Sequence, residues 1–396
     1  MIRTSKYLFA LALLAAGGCS TEPREKIPTG PEAGTIPIVW DVVSVDKPGT
    51  QSRSLIGPAP EEGQNPDWIT LEEACTPTAS GGQGEAIGIW ADYTYMDTDG
   101  QESTMKDVFR GTRLIYQHKE SGNPHSDWNY AGSDLYWFIG GRYKFRAYYP
   151  QNLADHVVSS TNATTFVIEY PTHEIQEDLL LAYNQVDTNN PLVNLNDPVP
   201  LHFSHGLAAL RFFVKVSYTN SDQLTSCYLQ NADSRDFATS GMLAYGTETQ
   251  PENISWIIGY TPPVTERIYY WSHPGVAFST DEAGNTVRAM AYTAENATSG
   301  DLFTQNNGWV LILPQASSGN LQFCFTTTNG EEAIYRVTIP KITERITASD
   351  GSVYESTEYR PGRRYTYTIT ITEANVDLTL TVADWNERES SYEIVF

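Results

Sequence analysis

Apolar residues in this chain recur at every second position in short runs, and beyond the first twenty residues no stretch keeps the 3.6-residue period of an amphipathic helix. A period of two puts one face of an extended segment into a core and the other outside, so the pattern predicts strands. The candidates are Ile36–Val45, Ala86–Tyr95, Leu114–Gln117, Tyr143–Tyr149, Thr165–Tyr170, Leu207–Tyr218, Trp309–Leu313, Leu321–Thr327, Ala333–Ile339, Arg364–Thr372 and Val376–Val382. Turn clusters such as Thr98-Asp99-Gly100, Ser318-Gly319-Asn320, Thr328-Asn329-Gly330 and Ser349-Asp350-Gly351 punctuate them. The 24 Tyr, 14 Phe and 9 Trp, interrupted by 29 Gly and 22 Pro, agree with strands joined by turns. Many short strands with punctuating turns predict an all-β chain of antiparallel β-sandwiches. One short helix is expected near Trp68 to Ala74, where Thr70 is placed to cap and Glu72 and Glu73 fall in the first turn.

At 396 residues the chain exceeds a single ordinary domain. Regular structure stops between Val186 and Pro200, where Asn189-Asn190-Pro191, Asn194 and Asn196-Asp197-Pro198 cluster. We therefore expect an N-terminal sandwich over residues 36–198 and a C-terminal one over residues 199–396. The formal charge of −23 argues against nucleic acid as a partner, because phosphate binding needs clustered Lys and Arg.

The start of the chain reads as an address. Arg3 and Lys6 precede an apolar core from Tyr7 to Ala16, and the small residues Ala16-Gly17-Gly18 lead directly into Cys19. The arrangement resembles a bacterial lipoprotein signal over residues 1–18, which implies cleavage before Cys19 and a diacylglycerol on its thiol. The alternative is an ordinary secretory signal with an incidental Cys19. Residues 19–35 hold Pro23, Pro28, Pro31, Gly30 and Gly34 with little apolar content, as a tether does.

Chemistry-bearing motifs are scarce. Cys75, Cys227 and Cys324 are odd in number and widely spaced, so they define neither a disulfide framework nor a metal pair; one bridge stays open. His202 and His205 lie three apart and on a strand would face opposite ways, which favours packing over joint ligation. Asp97-Thr98-Asp99-Gly100 resembles a calcium loop but lacks its later acidic ligands, so a hairpin turn is expected. Trp128-Asn129-Tyr130, Tyr136-Trp137-Phe138, Tyr143–Tyr149 and Tyr269-Tyr270-Trp271 would serve as strand cores or as platforms on which a glycan stacks. No GxSxG elbow, HExxH, P-loop or dinucleotide fingerprint occurs, so no enzyme and no cofactor is expected; a hydrolase would need two carboxylates facing each other in a cleft.

Three segments stand out together. Glu177-Asp178-Leu179-Leu180-Leu181-Ala182 is followed by Leu201-His202-Phe203-Ser204-His205-Gly206-Leu207-Ala208-Ala209-Leu210. Near the C-terminus, Arg360-Pro361-Gly362-Arg363-Arg364-Tyr365 opens one strand and Leu378 to Trp385 forms the next. In this order, behind a lipoprotein leader, they resemble the fimbrillin family of Bacteroidales surface lipoproteins. The resemblance implies two tandem transthyretin-like β-sandwich domains, a place at the outer membrane through the Cys19 lipid, and a role as pilus subunit, tip or anchor. Its partners would be other fimbrial subunits, with a host or bacterial surface ligand to adhere to.

The resemblance also implies that a protease cuts after an arginine following the first strand, opening an apolar groove for a strand from another subunit. Arg53, in Gln51-Ser52-Arg53-Ser54, occupies that place; the plainer alternative is a solvated loop residue behind a permanent first strand. Tyr392, Ile394 and Phe396 alternate at the end of the sequence as a donated strand would, or as the last strand of their own domain. The eleven residues after Trp385 fit a tip or minor subunit better than a main stalk. The runner-up function is a monomeric surface lipoprotein that captures glycans on the aromatic platforms.

Overall fold

The computed structural model describes residues 33–43, 56–57, 69–77, 85–117, 127–159, 166–172, 175–216, 223–245, 255–264, 266–277, 279–280, 286–289, 309–328, 331–347, 351–371, 376–384 and 392–395. Among these residues the chain is all-β apart from the helix Leu71–Cys75 and one 3-10 segment, Gln151–His156. The helix forms where the capping signals place it. Glu73 N–H donates to Thr70 Oγ1 at 3.1 Å and Thr70 N–H donates to Glu73 Oε2 at 2.9 Å, so two otherwise unmet backbone donors are satisfied reciprocally.

The N-terminal module rests on a six-stranded sheet in the order Ser204–His205, Leu180–Asp187, Gly141–Tyr149, Ile87–Met96, Glu102–Tyr116 and Trp128–Tyr130. Its two central strands are buried over most of their length, although Gly141–Tyr149 carries Arg142, Lys144 and Arg146 between its apolar residues. Asp97 caps the hairpin between Ile87–Met96 and Glu102–Tyr116, accepting from the backbone N–H of Asp99 and Gln101, while Gly100 adopts φ +73°. The predicted hairpin turn is there.

Against this sheet packs a layer of short ladders and the helix. Ala33–Pro37 pairs antiparallel with Tyr136–Phe138, Trp40–Val43 pairs parallel with Val199–His202, and Ile56–Gly57 pairs parallel with Ile69–Thr70. The single strand expected over Ile36–Val45 is therefore two. Pro37 cannot donate a ladder hydrogen bond, and the chain changes partner between Pro37 and Trp40.

In the C-terminal module Ala208–Val216 runs through a seven-stranded mixed sheet. It pairs parallel with Arg363–Ile371, which forms the expected final hairpin with Val376–Asp384. A four-stranded sheet of Tyr270–Ala277, Gln223–Asn231, Leu321–Thr328 and Glu332–Ile339 accompanies it. Phe212 of the first sheet stacks on Phe323 of the second at 4.5 Å, so the two sheets share one core, as in a sandwich.

Residues on either side of position 198 mix at the centre. Val199, Leu201 and Phe203 belong to the N-terminal core, whereas Phe166–Pro171 pairs with Ser240–Tyr245. A separate cluster joins Trp90, Tyr148, Leu179 and Leu181 to Leu207, Ala209, Leu311 and Leu313.

All three cysteines of the described region are buried free thiols. Cys227 stands opposite Phe325 and Cys324 opposite Tyr228, so the two neighbouring cysteines face opposite sides of their sheet and do not bridge.

One buried carboxylate gives the N-terminal module a pH dependence. Asp92 accepts from the Asp107 N–H at 3.1 Å, Arg146 Nη1 at 3.1 Å and Lys106 Nζ at 3.4 Å. Burial alone would raise its pKa, but these donors and the two cations outweigh it and hold the group below the ordinary aspartate range. A depressed folded-state pKa stabilises above the unfolded value, and that contribution is lost as pH falls through the folded one. Asp92→Asn is expected to unfold at lower urea than the parent at pH 7, with the gap closing in acid as the folded-state carboxyl becomes protonated. Equal gaps at pH 7 and in acid would show that the charge contributes nothing.

Candidate functional site

The seat of the first strand is built from sequence-distant parts. Ile38, Trp40 and Val42 alternate into the N-terminal core, while Asp41 between them is exposed. Ile38 N–H donates to Leu135 C=O at 2.8 Å, and Val199 N–H donates to Val39 C=O at 2.8 Å. The segment is thus tied at one point to the strand beyond Leu135 and at another to Val199–His202. Gly34 lies so near Trp137 that an added Cβ would come within 2.9 Å of its carbonyl oxygen.

Trp40 is fully buried and is the centre of the seat. Its indole meets Phe145 at 5.0 Å, Tyr130 at 6.3 Å and Phe109 at 6.4 Å, each nearly edge to face. Burial lifts the Tyr130 phenol above its ordinary range, and the Trp40 indole beside it works in the opposite direction. Sequence reading identified the strand but not the three rings around Trp40, which come from three separate strands. Their alternation with polar neighbours was the signal available.

The segments that carried the family resemblance meet in space. Leu180 stands opposite His205 and Leu181 opposite Ser204. His205 Nδ1 and the Asp178 carboxylate lie 2.9 Å apart, both side chains essentially without solvent exposure, whereas His202 is exposed. The two histidines do diverge, and the buried one is held by a carboxylate. Farther along, buried Glu344 receives Arg363 at 3.2 Å and Arg360 at 3.4 Å, fixing both arginines of the Arg360-Pro361-Gly362-Arg363 segment. Gly362, at φ +70°, donates its N–H to Leu207 C=O and so joins the last segment to the second.

The aromatic clusters considered as glycan platforms are chiefly core. Trp128, Trp137, Tyr143, Phe145, Tyr148, Tyr149 and Tyr269 are buried, and Tyr136 is exposed. Flat, half-buried strand surfaces use large rings to fill the space between layers, and that demand claims these residues. Among the described residues no group of three His, Cys, Asp or Glu side chains is gathered to hold a metal ion.

Of the other predicted site residues, Cys19, Arg53 and Phe396 lie outside the described residues. Tyr392 and Ile394 belong to the strand Tyr392–Val395, which pairs antiparallel with Val376–Asp384 at the edge of the seven-stranded sheet.

Fold and seat together define a class: an all-β protein whose N-terminal core is completed by Ile38, Trp40 and Val42 of its first described segment. A model described as fimbrillin-like matches residues 78–385, and the chain belongs to that family. Among solved structures, a fimbrial protein from Bacteroides vulgatus is 14% identical, with a TM-score of 0.48 over 88% of this chain and 99% of that one. The C-terminally truncated tip fimbrial protein Mfa3 from Porphyromonas gingivalis is 14% identical, with a TM-score of 0.30 over 76% of this chain and 94% of that one. No curated protein matches the chain significantly.

Proposed function

We propose that this protein is a fimbrial subunit that reaches the outer membrane on a Cys19 lipid, is cut after Arg53, and joins other subunits by strand exchange. One observation carries the reading: the N-terminal core is completed by Ile38, Trp40 and Val42, which belong to the first described segment of the chain and ride on only short ladders. A segment held that way can be exchanged for another strand of like pattern, because main-chain pairing is sequence-tolerant and alternate side chains fill the pockets. The alternating Tyr392, Ile394 and Phe396 supply a strand for donation, and the position of Tyr392–Val395 at a sheet edge fits a strand able to leave. Family membership supports a place at the cell surface and association with other fimbrial subunits. The reading assigns the protein adhesion and assembly, with no bond-breaking chemistry.

Treatment of the pure protein with an arginine-specific protease is the test. The expected result is loss of the segment up to Arg53, followed by a ladder of oligomers on a gel. Arg53→Ala should remain at full length and monomeric under the same treatment. Processing of that variant at the parent rate would remove Arg53 from the maturation site, and a cut chain that never associates would remove strand exchange.

A further inference from the structure

The seat of Trp40 does more than accept an apolar strand. Phe109, Tyr130 and Phe145 stand on Glu102–Tyr116, Trp128–Tyr130 and Gly141–Tyr149, which are linked through Ile87–Met96 and through each other. None of these ladders includes the first strand, so the box of three rings keeps its backbone frame when that strand departs. What it holds is a complete indole, with Ile38 and Val42 buried two residues to either side. The seat is therefore shaped for aliphatic, aromatic, aliphatic at successive inward positions.

The tail of this same chain has the inverse order: Tyr392, Ile394 and Phe396 read aromatic, aliphatic, aromatic. Laid in with Ile394 at the Trp40 position, it leaves part of the box empty and presses two rings onto sites cut for Ile38 and Val42. Voids and overpacking in a close-packed core are both unfavourable. The shifted register that seats Tyr392 in the box carries polar Ser390 onto a flanking apolar site, and the one that seats Phe396 presses the Tyr392 ring onto the place of Ile36, which packs against the same core.

We infer that the Phe109–Tyr130–Phe145 box is the specificity pocket of the acceptor groove, and that it selects a donor strand with an aromatic residue at the Trp40 position between two aliphatic ones. The partner that fills the groove is thus a subunit with a different tail, in preference to a second copy of this chain. This rests on the strand-exchange reading, and it adds the chemistry of the partner. Discrimination comes as much from the misfit of the wrong strand as from the fit of the right one.

The test uses the full chain with a specific protease site placed within residues 46–52 and cut, so that the resident strand is held without a covalent link. A fluorescent peptide of residues 33–45 is allowed to exchange in, and unlabelled peptides compete. The Trp40→Leu peptide and the tail peptide of residues 386–396 are each expected to compete about tenfold less well than the resident sequence, and a tail peptide carrying Tyr392→Ile, Ile394→Trp and Phe396→Val together to regain most of that loss. A triply substituted tail that competes no better than the parent tail, or a Trp40→Leu peptide as good as the resident one, overturns the inference while exchange itself stands. If even the resident peptide fails to enter, the exchange reading falls and takes this one with it.

Discussion

Replacing Trp40 by alanine is expected to cost the uncut protein about 3–5 kcal/mol, the range for deleting a large ring from a core that cannot close over the gap. The neighbours decide the size of the effect. Phe109, Tyr130 and Phe145 are held by sheet ladders that do not involve Trp40, so they cannot shift inward to refill the volume. The exposed neighbour Asp41 is the control, and Asp41→Asn should stay within about 0.5 kcal/mol of the parent. Urea unfolding followed by near-ultraviolet circular dichroism reads both, with the N-terminal module scored separately if it unfolds in its own transition. A Trp40→Ala loss no larger than that of Asp41→Asn would mean that the first strand contributes little to the core. The same measurement bears on assembly. In a chain cut after the first strand, the alanine variant should release its N-terminal fragment sooner, because the indole is the largest group holding it.

The second large effect is expected at Asp178. This carboxylate and His205 are both shut away from water at 2.9 Å, in a place where Leu180 and His205 bring two sequence segments into register. Asp178→Ala removes one member of a buried pair and leaves the imidazole in a closed site, a loss of about 3–5 kcal/mol when the remaining group has no route to solvent. Asp178→Asn keeps an acceptor of the same shape and should lose less. Pairing Asp178→Ala with His205→Ala in a double-mutant cycle isolates the coupling, expected at about 1–3 kcal/mol. Additive losses would show that the two residues stabilise the fold independently.

The two sites differ in how visible they are before folding. Asp178 and His205 sit in the segments whose order along the chain resembles the fimbrillin pattern, so sequence reading brought attention to both, though not to their contact. Trp40 was legible as a member of the strand candidate Ile36–Val45, but with apolar Val39 and Val43 on the other face the sequence did not mark which face is buried. Its three partners were not legible, because each is 69 residues or more away along the chain and alternation carries no information about which strands are neighbours. For the same reason the aromatic clusters could be read as platforms or as core until the opposing layer was known.

Local chemistry in the sequence settled what each segment could be. The period of two made strands, Thr70 with Glu73 capped the helix, Asp97 with Gly100 closed a hairpin, and the Gly362 segment opened the last pair of strands. Those outcomes depend on contacts within a few residues, which backbone sterics and nearby donors fix on their own. Tertiary structure alone decided whom each segment would meet. It divided the first strand at Pro37 between an antiparallel and a parallel partner, drew Val199, Leu201 and Phe203 into the N-terminal core, and joined Phe166–Pro171 to Ser240–Tyr245. Pairing across such separations is chosen by the whole set of buried faces that must be covered at once, a condition that no short stretch of residues contains.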